Sequence, residues 1–128
     1  MPLVHIHLAQ GSWPEQRRAI GDIIYEAMRV TINVPPDDRF QIFTEHSAAG
    51  LVFDLGYLGI ARTAGFIVIQ ITLNLGRTLE QKRALYAKIA ANLAGSPGIR
   101  REDVLINLVE VPKENWSFGN GEASYAKG

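Results

Sequence analysis

No cysteine occurs anywhere in the 128 residues, so disulfide bracing, thiolate metal sites and a thiol nucleophile are all excluded. Neither sign of charge is in excess: 13 basic residues stand against 13 acidic ones. Proteins that grip nucleic acid concentrate positive charge to neutralise phosphates, so no nucleic-acid partner is expected. Long apolar runs are missing too. Nothing approaches the roughly 20 consecutive apolar residues of a membrane-spanning helix. The opening MPLVHIHLAQGSWPEQ lacks the basic region and apolar stretch of an export signal. The expectation is a soluble cytoplasmic chain with no membrane partner. What is present in quantity is apolar substance, 47% of all residues, which suits one packed core in a single domain over residues 1–128.

Two segments of the chain read alike. Residues Leu3 to Leu8 alternate, with Val4, Ile6 and Leu8 on one face and Leu3, His5 and His7 on the other, which is strand periodicity. Ser12-Trp13-Pro14-Glu15 has the form of a capping box with proline in the first turn, and so predicts a helix start. Ile20, Ile23, Ile24, Ala27 and Met28 follow at helical spacing as one buried stripe. The turn Val34-Pro35-Pro36-Asp37-Asp38 ends that helix, and Phe40, Ile42 and Phe43 begin a second strand. The same order then returns. Phe66 to Leu73 predicts a strand, Thr78-Leu79-Glu80-Gln81 a second capping box, and Leu85, Ile89 and Leu93 a second helical stripe. Gly95, Pro97 and Gly98 stop the second helix, and Val104 to Val111 predicts the closing strand. From Ser12 to Thr78 is 66 residues and from Phe40 to Val104 is 64, so one β-α-β unit recurs, over about 2–46 and 66–111. Each unit is long enough for a right-handed crossover, and each should hold a parallel strand pair. Between them, His46 to Gly65 is irregular and glycine-spaced, with one short strand expected at Leu51 to Asp54. The predicted class is α/β (α+β): a four-stranded sheet with two helices on one face. The ferredoxin-like sandwich shares this element order and is the structural alternative. The other sheet face is left bare, carries Ile and Val, and calls for a partner subunit.

Proline follows the initiator methionine. Methionine is removed before a small second residue, so the mature chain is expected to begin at Pro2, whose secondary amine would titrate near ~8 if unperturbed. Such an amine works as a base or acid near neutral pH, or adds to a carbonyl to form an iminium. The dipeptide alone is weak, because many chains begin this way for no chemical reason.

A run of motifs adds to it. They are Val34-Pro35 with Asp38-Arg39-Phe40-Gln41, His46, Leu58-Gly59, Arg62-Thr63 and Arg77-Thr78 with Glu80-Gln81-Lys82. Gly98-Ile99, Asp103-Val104 and Trp116-Ser117-Phe118-Gly119 with Gly121 complete the set. In these pieces the chain resembles the tautomerase superfamily, and within it the malonate semialdehyde decarboxylase family and its uncharacterised relatives. The resemblance implies a tautomerase fold assembled as a homotrimer, with a pocket segment at 112–128. It implies that Pro2 is the catalytic residue, that Asp38 is a catalytic aspartate, and that Arg77 is a substrate-binding arginine. Trp116 and Phe118 would wall the pocket. Where the decarboxylase reads arginine, proline, arginine, this chain reads Leu75-Gly76-Arg77, so Leu75 stands in place of the first arginine.

Each assignment has a physical rationale beside a plainer alternative. A carboxylate at Asp38 would keep the Pro2 amine cationic, whereas an apolar pocket would keep it neutral; the plainer role is a turn aspartate. Arg77 lies just ahead of a helix N-terminus, where its planar fork and the backbone donors suit a substrate carboxylate; otherwise it is a solvated loop arginine. Trp116 and Phe118 could be simple core aromatics. His5 and His7 share a strand face, and His46 could join them in a metal set, but polar residues on a subunit-facing sheet are the preferred reading. Arg39 and Arg62 carry no chemical assignment. The expected function is Pro2-dependent chemistry on a small 2-oxo or 3-oxo carboxylate or enol. It would be a keto–enol tautomerisation or a decarboxylation, and neither needs a metal or organic cofactor. A catalytically silent oligomer or binding module of the same fold is the alternative.

Overall fold

The computed structural model describes residues 2–126. Met1 and the last two residues of the 112–128 segment lie outside the described residues. The strands are β1 (Leu3–Ala9), β2 (Phe40–His46), β3 (Ile67–Asn74) and β4 (Val104–Val111), and the long helices are α1 (Pro14–Ile32) and α2 (Leu79–Gly95). One sheet has the order β2-β1-β3-β4. Within each β-α-β unit the strands pair in parallel, β1 with β2 and β3 with β4, and the units meet through antiparallel β1 and β3. In a ferredoxin-like sandwich each unit is split; here the two strands of a unit are neighbours, which excludes that alternative.

The alternation in the sequence sets the two faces. Val4, Ile6, Leu8, Ile69, Ile71 and Leu73 are buried, and they meet Ile20, Ile24, Ala27 and Met28 of α1 with Leu85, Ile89 and Leu93 of α2 in one core. The opposite face stays open: Phe40, Ile42, Leu105 and Val109 are exposed. No helix among the described residues is long and apolar enough to cross a membrane.

Two local expectations need correction. Ser12 does not cap α1. A residue before proline is held out of the α region, so Trp13, ahead of Pro14, is extended (φ −91°, ψ 151°) and becomes the N-cap itself. Gln16 Oε1 accepts from the Trp13 amide at 3.0 Å, which is half of a capping box one residue later than the sequence suggested. Ser12 instead donates through both its amide and its hydroxyl to Glu45 Oε2, at 2.9 Å each, tying the helix entry to β2. The second box forms as expected: Thr78 Oγ1 accepts from Gln81 N at 3.1 Å, and Gln81 Oε1 from Thr78 N at 2.9 Å.

The other correction is at Leu51 to Asp54, which forms no strand. Contacts within the loop, rather than a sheet ladder, hold the chain around it. Arg62 N donates to Leu55 O at 3.0 Å, and the Arg62 guanidinium gathers the carbonyls of Asp54, Tyr57 and Ile60 at 3.1–3.3 Å. Phe53 stacks on Phe66 with centroids 4.2 Å apart. The loop's far end is pinned to the buried carboxylate of Asp103, which accepts from Thr63 N at 2.7 Å and Thr63 Oγ1 at 2.6 Å. Arg62, Thr63 and Asp103, all within the motifs that carry the resemblance, therefore shape this loop.

Candidate active site

The topology brings four strand ends to one edge of the sheet: the starts of β1 and β2 and the finishes of β3 and β4. Pro2 is there, one residue ahead of Leu3, which pairs with Phe40 on one side and Thr72 on the other. Pro2 is fully buried and shares the helix-side parity of Val4. Asp38 is partly buried and precedes Phe40 by two residues, so it flanks the chain where β1 begins.

Arg77 reaches this edge from the turn between β3 and α2. Gly76 there has φ +122°, a conformation that side chains on L-residues resist. The sharp turn lets the guanidinium fold back, with Nη1 donating to Asn74 O at 3.1 Å and Nη2 to Ile32 O at 3.3 Å. Burial pushes the Arg77 guanidinium below its ordinary range, and the Glu110 carboxylate opposes that shift. It remains a cation held partly out of water, where an anion is attracted more strongly than in bulk solvent. A cavity of about 320 Å³ surrounds it, bounded by Ile32, Asn74, Leu75, Gly76, Gln81 and Lys113 among others. Leu75 is 60% exposed and lines the same cavity as Arg77.

The aromatic pair also assembles at this edge. Beyond β4 the chain turns back across the open face, and Trp116 stacks on Phe118 with centroids 5.2 Å apart and planes 11° from parallel. Phe118 lies 5.5 Å from Phe40 at the start of β2 and 5.4 Å from Tyr125, edge to face. Trp116 Nε1 donates to Asn74 Oδ1 at 2.7 Å. The end of the open face next to Asp38 is thus covered by the chain's own tail, although sequence periodicity left the whole face bare.

Sequence reasoning missed two members of this group. Tyr125 packs on Phe118, and burial first, then the Asp38 charge, pushes its phenol above the ordinary value, so Asp38 and Tyr125 feel each other. The aromatic spacing of the glycine-rich tail was the available signal. Asn74 gave no signal at all, being a polar residue at the end of an apolar strand.

Other singled-out residues are engaged elsewhere. Arg39 Nη1 donates to Asp22 Oδ1 at 2.7 Å and its guanidinium lies 4.2 Å over the Tyr25 ring, which anchors β2 to α1. His7 Nδ1 and His46 Nε2 share a hydrogen bond of 2.8 Å, His5 Nε2 bonds Thr44 Oγ1 at 2.8 Å, and the His5 and His7 rings stack 4.0 Å apart. Among the described residues no group of three or more histidine or carboxylate side chains is arranged to hold a metal ion.

Residues 38–119 match a family model described as a tautomerase enzyme, and residues 2–55 match a second model of the same description. The probable tautomerase YusQ of Bacillus subtilis (strain 168) is 42% identical over 123 residues, covering 96% of this chain and 97% of its own. The crystal structure of FG41 malonate semialdehyde decarboxylase inhibited by 3-bromopropiolate superposes with a TM-score of 0.89 at 36% identity, covering 96% of this chain and 93% of that one. A wild-type fused 4-OT, a symmetric trimer, superposes at 0.78 with 27% identity, covering 97% and 99%. Matched in sequence and in fold along nearly its whole length, the chain belongs to the tautomerase family.

Proposed function

We propose that this tautomerase-family chain uses the amine of Pro2, with no cofactor, on a small 2-oxo acid or its enol, and that tautomerisation is its main reaction. The observation that supports this reading best is the convergence at one sheet edge of Pro2, a partly desolvated Arg77 cavity and the Trp116–Phe118 wall. Arg77 holds the substrate carboxylate through charge-assisted hydrogen bonds. Neutral Pro2 takes the enol O–H proton, and the resulting cation returns a proton to the neighbouring carbon, which completes the ketone and regenerates the amine. Asp38 adjusts this balance: a nearby carboxylate favours the cation, and burial favours the neutral amine.

Decarboxylation of a 3-oxo acid uses the same groups differently. Arg77 would fix the carboxylate so that the breaking C–C bond overlaps the carbonyl π system, and cationic Pro2 would take up the developing charge. Leu75 tilts the choice. It gives the Arg77 cavity an apolar, exposed wall, which suits a substrate with an apolar arm better than a short polar acid. We also infer a homotrimer, supported by the open sheet face and by the assembly of the fused 4-OT.

The test is turnover of phenylenolpyruvate and malonate semialdehyde by wild-type and Pro2→Ala protein, after intact mass confirms that the chain begins at Pro2. Loss of a general acid–base group costs about 10²–10⁴ in rate, so Pro2→Ala should fall by at least ~100-fold. Turnover of neither compound, nor of a wider set of oxo acids, would mark the chain as a silent oligomer of the same fold.

A further inference from the structure

Among the described residues, Asn74 and Asp103 are the buried polar or charged ones. Asp103 is explained by the Thr63 loop it pins. Asn74 is placed differently. It ends β3, opposite Val111, and the ladder continues one step past it through Leu75 N and Val111 O at 3.1 Å. Its position along the strand is therefore fixed from the β4 side. On its other side β3 runs antiparallel to β1, with Thr72 against Leu3, so Asn74 lies alongside the chain where Pro2 enters the sheet.

From that fixed point Asn74 holds two parts of the site at once. Its side-chain Oδ1 accepts the Trp116 indole N–H at 2.7 Å, and its main-chain carbonyl accepts Arg77 Nη1 at 3.1 Å. We propose that Asn74 is a positioning residue, which sets the aromatic wall and the carboxylate-binding arginine at a fixed spacing beside Pro2. The inference rests on the Pro2-dependent reading above, and its test separates the two.

The residue type follows from the demands of that place. A leucine would fill similar space but leave the indole N–H without its acceptor, and a donor stranded away from water is costly. An aspartate would keep the acceptor and add a charge. That charge would compete with the substrate carboxylate for Arg77 and would favour the cationic form of Pro2. The amide supplies an acceptor without either effect.

The experiment compares Asn74→Leu and Asn74→Asp with wild type. The protein has two tryptophans, and Trp13 is 69% exposed, so the indole region of a ¹⁵N–¹H spectrum should show one fast-exchanging signal and one protected signal from Trp116. Asn74→Leu should speed exchange of the protected signal at least tenfold and lower kcat/KM for phenylenolpyruvate about tenfold. On a Trp116→Phe background the same change should cost much less, since the shared contact is already gone. Asn74→Asp should keep the indole protection while raising KM about tenfold and moving the acid limb of the kcat/KM profile to higher pH. If Asn74→Leu does not fold, Asn74→Asp decides alone. Unchanged indole exchange in Asn74→Leu, or wild-type KM and pH profile in Asn74→Asp, overturns the proposal. Pro2→Ala retaining full activity overturns the functional reading instead and leaves the indole measurement standing.

Discussion

At the scale of single residues, Leu75 and Arg77 share one cavity wall but differ in what they ask of a ligand. A second arginine at 75 would add a charge-assisted hydrogen bond worth about 1.5–3 kcal/mol to a carboxylate. Leucine gives that up and offers apolar surface, worth about 25 cal/mol for each Å² it covers on a ligand. The wild-type protein should therefore turn over phenylenolpyruvate with a higher kcat/KM than malonate semialdehyde. Leu75→Arg should move that ratio toward the small acid by about tenfold or more, with Arg77 required in both proteins. If the wild type strongly prefers malonate semialdehyde and Leu75→Arg changes nothing, position 75 does not face the substrate.

Among the elements, the two helix starts make a controlled pair. Both looked alike in the sequence, yet only Thr78 caps its helix reciprocally with Gln81. Thr78→Ala should lower stability by about 1 kcal/mol, the usual cost of losing a side-chain cap. Ser12→Ala should leave the α1 cap intact, because the Gln16 side chain accepts the Trp13 amide without it. Its cost should instead depend on Glu45, which receives both Ser12 bonds. Urea denaturation at one fixed protein concentration checks this: Ser12→Ala should cost clearly less in a Glu45→Ala background, which removes the acceptor and leaves only the Arg17 bond to the Ser12 hydroxyl, whereas Thr78→Ala should cost the same in either. Equal additivity for both would mean that Ser12 acts as a cap after all.

For the whole molecule, the open sheet face decides the behaviour with pH. Along β1 and its neighbours that face carries Leu3, His5, His7, Ile42, Thr44, Val68 and Gln70, with His7 bonded to His46. None of these is a carboxylate that could pair with a protonated imidazole. Burial, then the charges of His5 and His46, lowers the pKa of His7 below its ordinary 6.5. The folded chain then holds fewer protons on His7 than the unfolded chain does between that lowered value and 6.5. Stability accordingly rises with pH through the window and is lost as pH falls below about 6.5. If this face is the trimer contact, light scattering at micromolar concentration should show trimers at pH 7.5 and smaller species as the pH is lowered toward 5. His7→Gln should flatten that dependence. A monomer at neutral pH contradicts the assembly, and an unaltered pH profile in His7→Gln contradicts the role of the imidazole cluster.

Local periodicity carried the architecture. The alternation of Val4, Ile6 and Leu8 and the stripes Ile20–Met28 and Leu85–Leu93 each recorded which face of an element meets the core, because burial acts on every repeat of the same short period. The unit repeated twice implied the parallel pairs found in β1–β2 and β3–β4, and a family resemblance carried on Pro2, Arg77 and the Trp116–Phe118 tail pointed to residues that the topology places toward the same strand ends. Contacts without a period were invisible. Asn74 and Trp116 are 42 residues apart, Ser12 and Glu45 33, and Thr63 and Asp103 40, and no spacing rule joins such partners before the sheet is assembled. Even the order of the strands, which excluded the split ferredoxin-like arrangement, became fixed only when β1 paired with β3. The sequence by itself determined the four strands and two long helices and the faces they bury. Tertiary structure decided which polar groups meet, because a hydrogen bond depends on angstrom-scale positions that the folded sheet alone supplies.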